Sequence, residues 1–357
     1  MMNGILKKEK ARFPQKAGSP QKVISHQKAM SSQKTLGKDE GRFLKERGGE
    51  GRRRRWAKLW LRIRRNWVLY LFILPAFLYF LIFAYVPMYG IQIAFKDFVA
   101  TKGFVDSPWA DPIWKHFKTF FSSVYFMDVF KNTIGLSLYY ILASFPVPII
   151  LALMVNEVKN TKFKKLVQNF TYMPYFISTV VLVGMVQLFL AKTGLFNQIG
   201  ALFGAEPKLF LQKDGLFNDI YVWSGVWQVS GYSAVIYIAA LTGVSPELHE
   251  AAIMDGATKL QRIRHVNLPA IMPTIVTMLI MSVGGIMNLS FEKVLLMQTD
   301  SNLMVSEVIS TYVYKLGIQK AQFSLSSAVG LFNNLINVTL LIIVNKISAK
   351  ISDTSLW

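Results

Sequence analysis

Six stretches of this chain contain no Asp, Glu, Lys, Arg or His: Trp67–Phe95, Asn132–Asn156, Leu166–Ala191, Ile220–Pro246, Val266–Phe291 and Ala321–Asn345. They leave few folds open to it. A helix of about 20 apolar residues crosses about 30 Å of hydrocarbon, and each stretch is long enough. None alternates apolar and polar residues as a barrel strand would. One such stretch could be a buried helix of a large soluble core, but six at near-regular spacing could not. The expected fold is an all-α membrane protein of six transmembrane helices, with spans at about 67–95, 132–156, 166–191, 220–246, 266–291 and 321–345.

The cations set the expected orientation. Residues 1–65 hold 20 of the 40 Lys and Arg residues but only 5 of the 20 Asp and Glu, so the formal charge of +20 belongs largely to an N-terminal extension. Residues 1–50 are rich in Lys, Gln, Ser and Gly and have too few apolar groups to offset ordering entropy, so a disordered basic extension is expected there. In residues 51–65, Trp56, Leu59, Trp60 and Ile63 recur at helical spacing with cations opposite. That pattern predicts an amphipathic helix in the interface of a lipid bilayer. The Arg52–Arg55 run could instead bind nucleic acid, but the span that follows explains the cations by orientation, and no nucleic-acid partner is expected. Both termini are then cytosolic, with 66–357 as the membrane domain. Lys159, Lys162, Lys164 and Lys165, then Lys259, Arg262 and Arg264, fall in loops on the same side.

Several chemistries are excluded by what is missing. There is no cysteine, hence no disulfide and no thiolate metal site. A carrier driven by protons or sodium uses ionisable groups within its spans, and these spans have none. The four histidines, His26, His116, His249 and His265, lie outside the spans. His249-Glu250 does not extend to a zinc motif, because Ala252 and Ile253 stand where the second His would fall. No phosphate-binding glycine loop is present, so ATP, if used, is bound by another subunit.

The most informative segment is Ser245-Pro246-Glu247-Leu248-His249-Glu250-Ala251-Ala252-Ile253-Met254-Asp255-Gly256-Ala257, followed by Leu268-Pro269. Ser245 suits an N-cap and Pro246 the first helical position. Glu247 and Glu250 sit in or near the first turn, where the helix dipole favours anions. Gly256 can end the helix in the left-handed region. A short cytosolic helix is expected, with a surface shaved by Ala251 and Ala252 for close approach of another protein.

These residues resemble the EAA loop of binding-protein-dependent ABC importer permeases. Further matches are Val86-Pro87-Met88-Tyr89-Gly90, Phe130-Lys131-Asn132-Thr133, Leu153-Met154-Val155-Asn156-Glu157-Val158 and Tyr172-Met173-Pro174. With the C-terminal Ser355-Leu356-Trp357, they are similar to the maltose-type branch and especially its LplB-like polysaccharide group. The resemblance covers about 66–357 and implies a type I importer permease fold in a multi-pass subunit of a bacterial, Gram-positive plasma membrane. It implies no enzymatic activity and no cofactor, ATP and magnesium being held by partner ATPase subunits. The implied partners are a second homologous permease, two ATPase subunits, an extracytoplasmic solute-binding protein and an oligosaccharide.

The resemblance also assigns Glu250, Ala251, Ala252, Asp255, Gly256 and Ala257 to ATPase coupling. Of the hydrogen-bonding and aromatic residues in the fourth and fifth spans (Trp223, Trp227, Gln228, Tyr232, Ser282 and Asn288), it favours Gln228, Tyr232 and Asn288 for the substrate pathway. Two other readings stay open: a permease for another solute, and a membrane scaffold or sensor subunit with a lipid-binding basic arm.

Overall fold

The computed structural model describes residues 60–61 and 64–352. The extension expected over 1–50 lies outside the described residues, as does most of the segment expected to lie in the interface. The described residues form helices and turns, and their only strand-like pairing is an isolated bridge between Lys96 and Trp109. The chain divides into two compact units, Met1–Val86 and Pro87–Trp357. The first contains helix α1 (Trp67–Phe80), none of whose residues is buried, continued by a π turn at Leu81–Tyr85. An all-round apolar helix with no buried face is suited to lipid or a neighbouring subunit.

The second unit is arranged around one long central helix. Helix α2 runs from Phe126 to Asn156 with a break at Phe145, where Pro146 and Pro148 remove backbone donors. Helix α3 (Thr161–Tyr172) begins at Asn160, whose side chain accepts from the Lys162 and Phe163 amides at 3.0 and 3.2 Å. Pro174 then turns the chain through a 3-10 segment, Met173–Phe176, before Ser178 caps helix α4 (Thr179–Leu190). The third apolar run is therefore two helices joined at a proline turn. Helix α5 (Asp214–Thr242) is the centre of the unit. Helix α6 (Pro246–Met254) leaves it at 74°. Helix α7 runs from Lys259 to Gly284, α8 from Phe291 to Met297, and α9 from Phe323 to Ser352.

Three apolar clusters hold these helices. Phe217, Tyr221, Val222 and Val226 of α5 meet Leu136 of α2, Val183 of α4, and Val294 and Met297 of α8. Deeper along α5, Ala234, Tyr237 and Leu241 pack with Ala152 and Ile271. Phe120, Val129, Met287, Ile309 and Val329 form the third cluster. Five spans meet the length and apolarity needed to cross a membrane, and α5 with α6 makes a sixth as one bent pair.

In lipid, helices are held less by hydrophobicity than by close packing and internal polar contacts. Helix α9 illustrates this. Beyond Gly284 the backbone leaves the helix, and the buried Met287 amide donates to Asn337 Oδ1 at 3.0 Å. Asn337 Nδ2 donates to Asn288 Oδ1 at 3.0 Å, joined by Asn333 at 3.5 Å. Asn337→Ala orphans a buried amide and is expected to cost about 1–3 kcal/mol. This would be read as a lower melting temperature in detergent, with Asn334→Ala, an exposed neighbour, leaving it unchanged.

Candidate functional site

Helix α6 is shaped almost entirely by its own sequence. Ser245 Oγ accepts from the Glu247 amide at 3.3 Å, Pro246 occupies the first turn, and Glu247 places its charge at the positive end. At the other end Gly256 adopts φ +78°, while the Ala257 amide returns to the Ala252 carbonyl at 2.9 Å. Thr258 and Gln261 then form a reciprocal capping box that starts α7. No residue of α6 is buried: Leu248, Glu250, Ala251, Ile253 and Met254 are exposed, and Ala252 is half-buried. Asp255 and Gly256 lie at the exposed end and Ala257 just inside it. Behind this helix, Arg262 approaches Glu157 at 3.6 Å, linking the start of α7 to the end of α2.

The candidate pathway residues divide into two groups. Gln228 and Tyr232 share a face of α5. Gln228 Nε2 donates to the Ile177 carbonyl at 2.8 Å. The half-exposed Tyr232 ring stacks on Tyr175, with centroids 4.0 Å apart and planes 8° apart. Asn288 is exposed but bonded to Asn333 and Asn337, so its amide belongs to the seam between α7 and α9. Trp223 lies on another flank of α5 and donates to the Tyr139 hydroxyl at 3.1 Å. Sequence reasoning missed Tyr175, although the Met173-Pro174 turn marks the place where a side chain is aimed back at α5.

Between α2, α5 and α7 lies a cavity of about 260 Å³. Tyr140, Ser144, Ser233, Tyr237 and Ser282 are the hydroxyl-bearing residues of its lining, set among apolar walls. Such a mixture suits a hydroxylated solute better than a hydrocarbon. Beside Tyr140, the Lys293 side chain of α8 is only 4% exposed, and its Nζ donates to the Tyr221 carbonyl at 2.8 Å. The ammonium also lies 4.7 Å from the centre of the Tyr221 ring. Burial pushes its pKa down to about 7. It was missed because Lys293 lies two residues beyond an apolar run, beside Glu292, and reads as an ordinary loop cation.

Away from α6, residues between the first two spans and before the last form an open cleft of about 400 Å³, lined by Asp97, Lys115, His116, Thr119, Gln322 and Ser324 among others. The Lys115 ammonium donates to both Asp97 oxygens at 2.9 Å and holds that carboxyl below its ordinary range. The contact is therefore intact above that range and is lost only as the pH falls through the lowered value.

The membrane domain packs around one central helix, sends out a short exposed helix at a steep angle, and holds a partly open cavity with mixed apolar and hydroxyl-bearing walls. The chain belongs to the family described as binding-protein-dependent transport system inner membrane component, whose pattern matches residues 144–353. It is 39% identical over 301 residues to the polygalacturonan/rhamnogalacturonan transport system permease protein YteP of Bacillus subtilis (strain 168), covering 84% of this chain and 93% of that protein. It is 38% identical over 296 residues to protein LplB of the same organism, covering 83% and 92%. In a crystal structure of a bacterial alginate ABC transporter in complex with alginate pentasaccharide-bound periplasmic protein, one chain superposes with a TM-score of 0.76. That chain is 38% identical, and the match covers 84% of this chain and 99% of that one. The fold is that of a type I ABC importer permease, and the chain is an oligosaccharide transport subunit that is not itself an enzyme.

Proposed function

We propose that this chain forms half of the translocation pathway for an acidic, uronate-containing oligosaccharide in the plasma membrane of a Gram-positive bacterium. A second, homologous permease completes the pathway. Two ATPase subunits bind on the cytosolic side, where both termini lie, and supply the ATP and magnesium sites. An extracytoplasmic binding protein delivers cargo at the opposite face, where the Asp97–Lys115–His116 cleft offers it a charged seat.

The observation that carries this reading is α6. It is capped at both ends, has no buried residue, and displays Leu248, Ala251, Ile253 and Met254 without a partner among the described residues. An exposed apolar helix of this kind calls for a groove on another protein. Glu250 and Asp255 fix its polar ends, Ala251 and Ala252 allow close contact, and Gly256 with Ala257 sets the exit turn. Closure of the ATPase pair then moves α6, and α5 transmits the motion to Gln228 and Tyr232. The acidic cargo is supported by the relatives, which handle polygalacturonan, rhamnogalacturonan and alginate.

Affinity purification of the tagged chain in mild detergent tests the assembly. The expected result is stoichiometric recovery of a second six-span subunit and an ATPase, with the ATPase lost on Ala251→Arg. Recovery of the chain alone under every nucleotide condition would overturn the reading and favour a scaffold.

A further inference from the structure

Lys293 is a buried lysine without an anion. It is 4% exposed and makes no ion pair among the described residues, and its sequence neighbour Glu292 is exposed. The groups facing its ammonium are the Tyr221 carbonyl and ring from α5 and, across Gly225, the Tyr140 phenol from α2. A buried charge with only neutral partners is unfavourable, and breaking such an arrangement into a simpler apolar one is often stabilising. A chain that keeps the charge gains something from it that the isolated fold does not display.

Its position shows where that gain arises. Tyr221, Gly225, Gln228 and Tyr232 are spaced by four, three and four residues and so share one face of α5. That face carries the two candidate pathway residues, and Lys293 covers it two turns from Tyr232. Gly225 is what lets the ammonium approach. A Cβ there would lie 3.0 Å from Nζ and 2.8 Å from the Tyr140 ring, so the cation and the phenol meet over the missing side chain. Tyr140 in turn lines the cavity of about 260 Å³. The ammonium therefore sits one side chain behind a cavity suited to a sugar.

We propose that Lys293 is the charge-recognition residue of the pathway, supplying the cation that meets a carboxylate of an acidic oligosaccharide and discriminates it from neutral sugars of the same length. This rests on the importer reading and names the group that would recognise its cargo. The hold is of the kind transport needs. One carbonyl and one aromatic face hold the ammonium when no cargo is present, and a carboxylate reaches it only when the Tyr140 side chain moves aside. Among the described residues no fixed acid competes with the cargo.

The test uses the complete importer with its binding protein in proteoliposomes. The probes are trigalacturonate and an alginate trisaccharide, with galactotriose as the neutral comparison. Wild type is expected to import an acidic probe. Lys293→Met should lower that uptake at least tenfold, and Lys293→Arg should restore most of it. Lys293→Met should also melt at the same or a higher temperature than wild type, because an unpaired buried charge has been removed. A merely structural clamp predicts the opposite, a lower melting temperature with all transport impaired, and that result would overturn the proposal. So would acidic uptake unchanged in Lys293→Met. If the wild-type complex imports galactotriose and neither acidic probe, the acidic-cargo reading itself fails, a result distinct from either.

Discussion

Gly256→Val is expected to reduce uptake through the assembled importer by about 5- to 150-fold while leaving the amount of folded protein unchanged. The glycine sits at φ +78° directly after α6, and nothing lies within 4 Å of a Cβ built there. The substitution therefore creates no clash and acts only through the backbone. A β-branched residue in the left-handed region costs roughly 1–3 kcal/mol, and that cost shifts the exit turn by the stated ratio in population. The turn fixes the direction in which α6 leaves for α7, so the helix would dock out of register. Gly256→Asn, which tolerates this region, should retain most uptake. Gly204 provides the control, since it has the same φ of +78° in equally open space but lies far from α6 in sequence. Gly204→Val should carry the same strain and leave uptake nearly intact. Equal loss in both variants would show that α6 geometry is not what couples.

Gly231→Ala is expected to have the largest effect on stability. A Cβ at 231 would fall inside the backbone carbonyl of Thr171 in α3, and no rotamer can relieve a clash made by Cβ itself. Helix α3 would have to move off α5, separating the Tyr175–Tyr232 stack and the Gln228–Ile177 hydrogen bond. Overpacking typically costs about 1–3 kcal/mol, and a clash with rigid backbone belongs at the top of that range or beyond. The expected reading is little monodisperse protein in detergent. Two other helix glycines calibrate the result. Gly225→Ala presses only on the Tyr140 and Lys293 side chains and should lose about 1 kcal/mol. Gly184→Ala has no neighbour within 4 Å and should be neutral or gain up to about 1 kcal/mol. A flat response across the three would mean that α3 and α5 do not pack as described.

What could be read in advance follows the range of the interaction. Charge-free runs give the transmembrane helices because the bilayer imposes one requirement on each segment by itself. Helix α6 was equally legible, since Ser245, Pro246 and Gly256 act within a few residues of where they stand. The division of the third run at Pro174 was signalled by the proline, but uninterrupted apolarity across it favoured a single helix. Lys293 and the Asn288–Asn333–Asn337 network were not legible. Their partners lie tens of residues away, and nothing in a cation or an amide announces which distant helix will cover it. Tyr232 was singled out for its aromatic face, but its stacking partner is supplied by a turn in another helix. The candidate site was thus readable where it is local and hidden where it depends on the packing of α5 with α2, α3 and α8.

The independence of α6 from the rest of the chain has an evolutionary side. Its caps, its stop and its outward surface are all written within residues 245–258, and it contributes nothing to the three apolar clusters. Under the proposed reading, the part that meets the motor and the face that meets the cargo can drift separately. A permease lineage could exchange its ATPase by rewriting one short exposed peptide, or retune its sugar at Lys293 and Tyr232 without disturbing that contract. Grafting 245–258 between permeases of different cargo should therefore transfer the choice of ATPase and leave the choice of sugar behind.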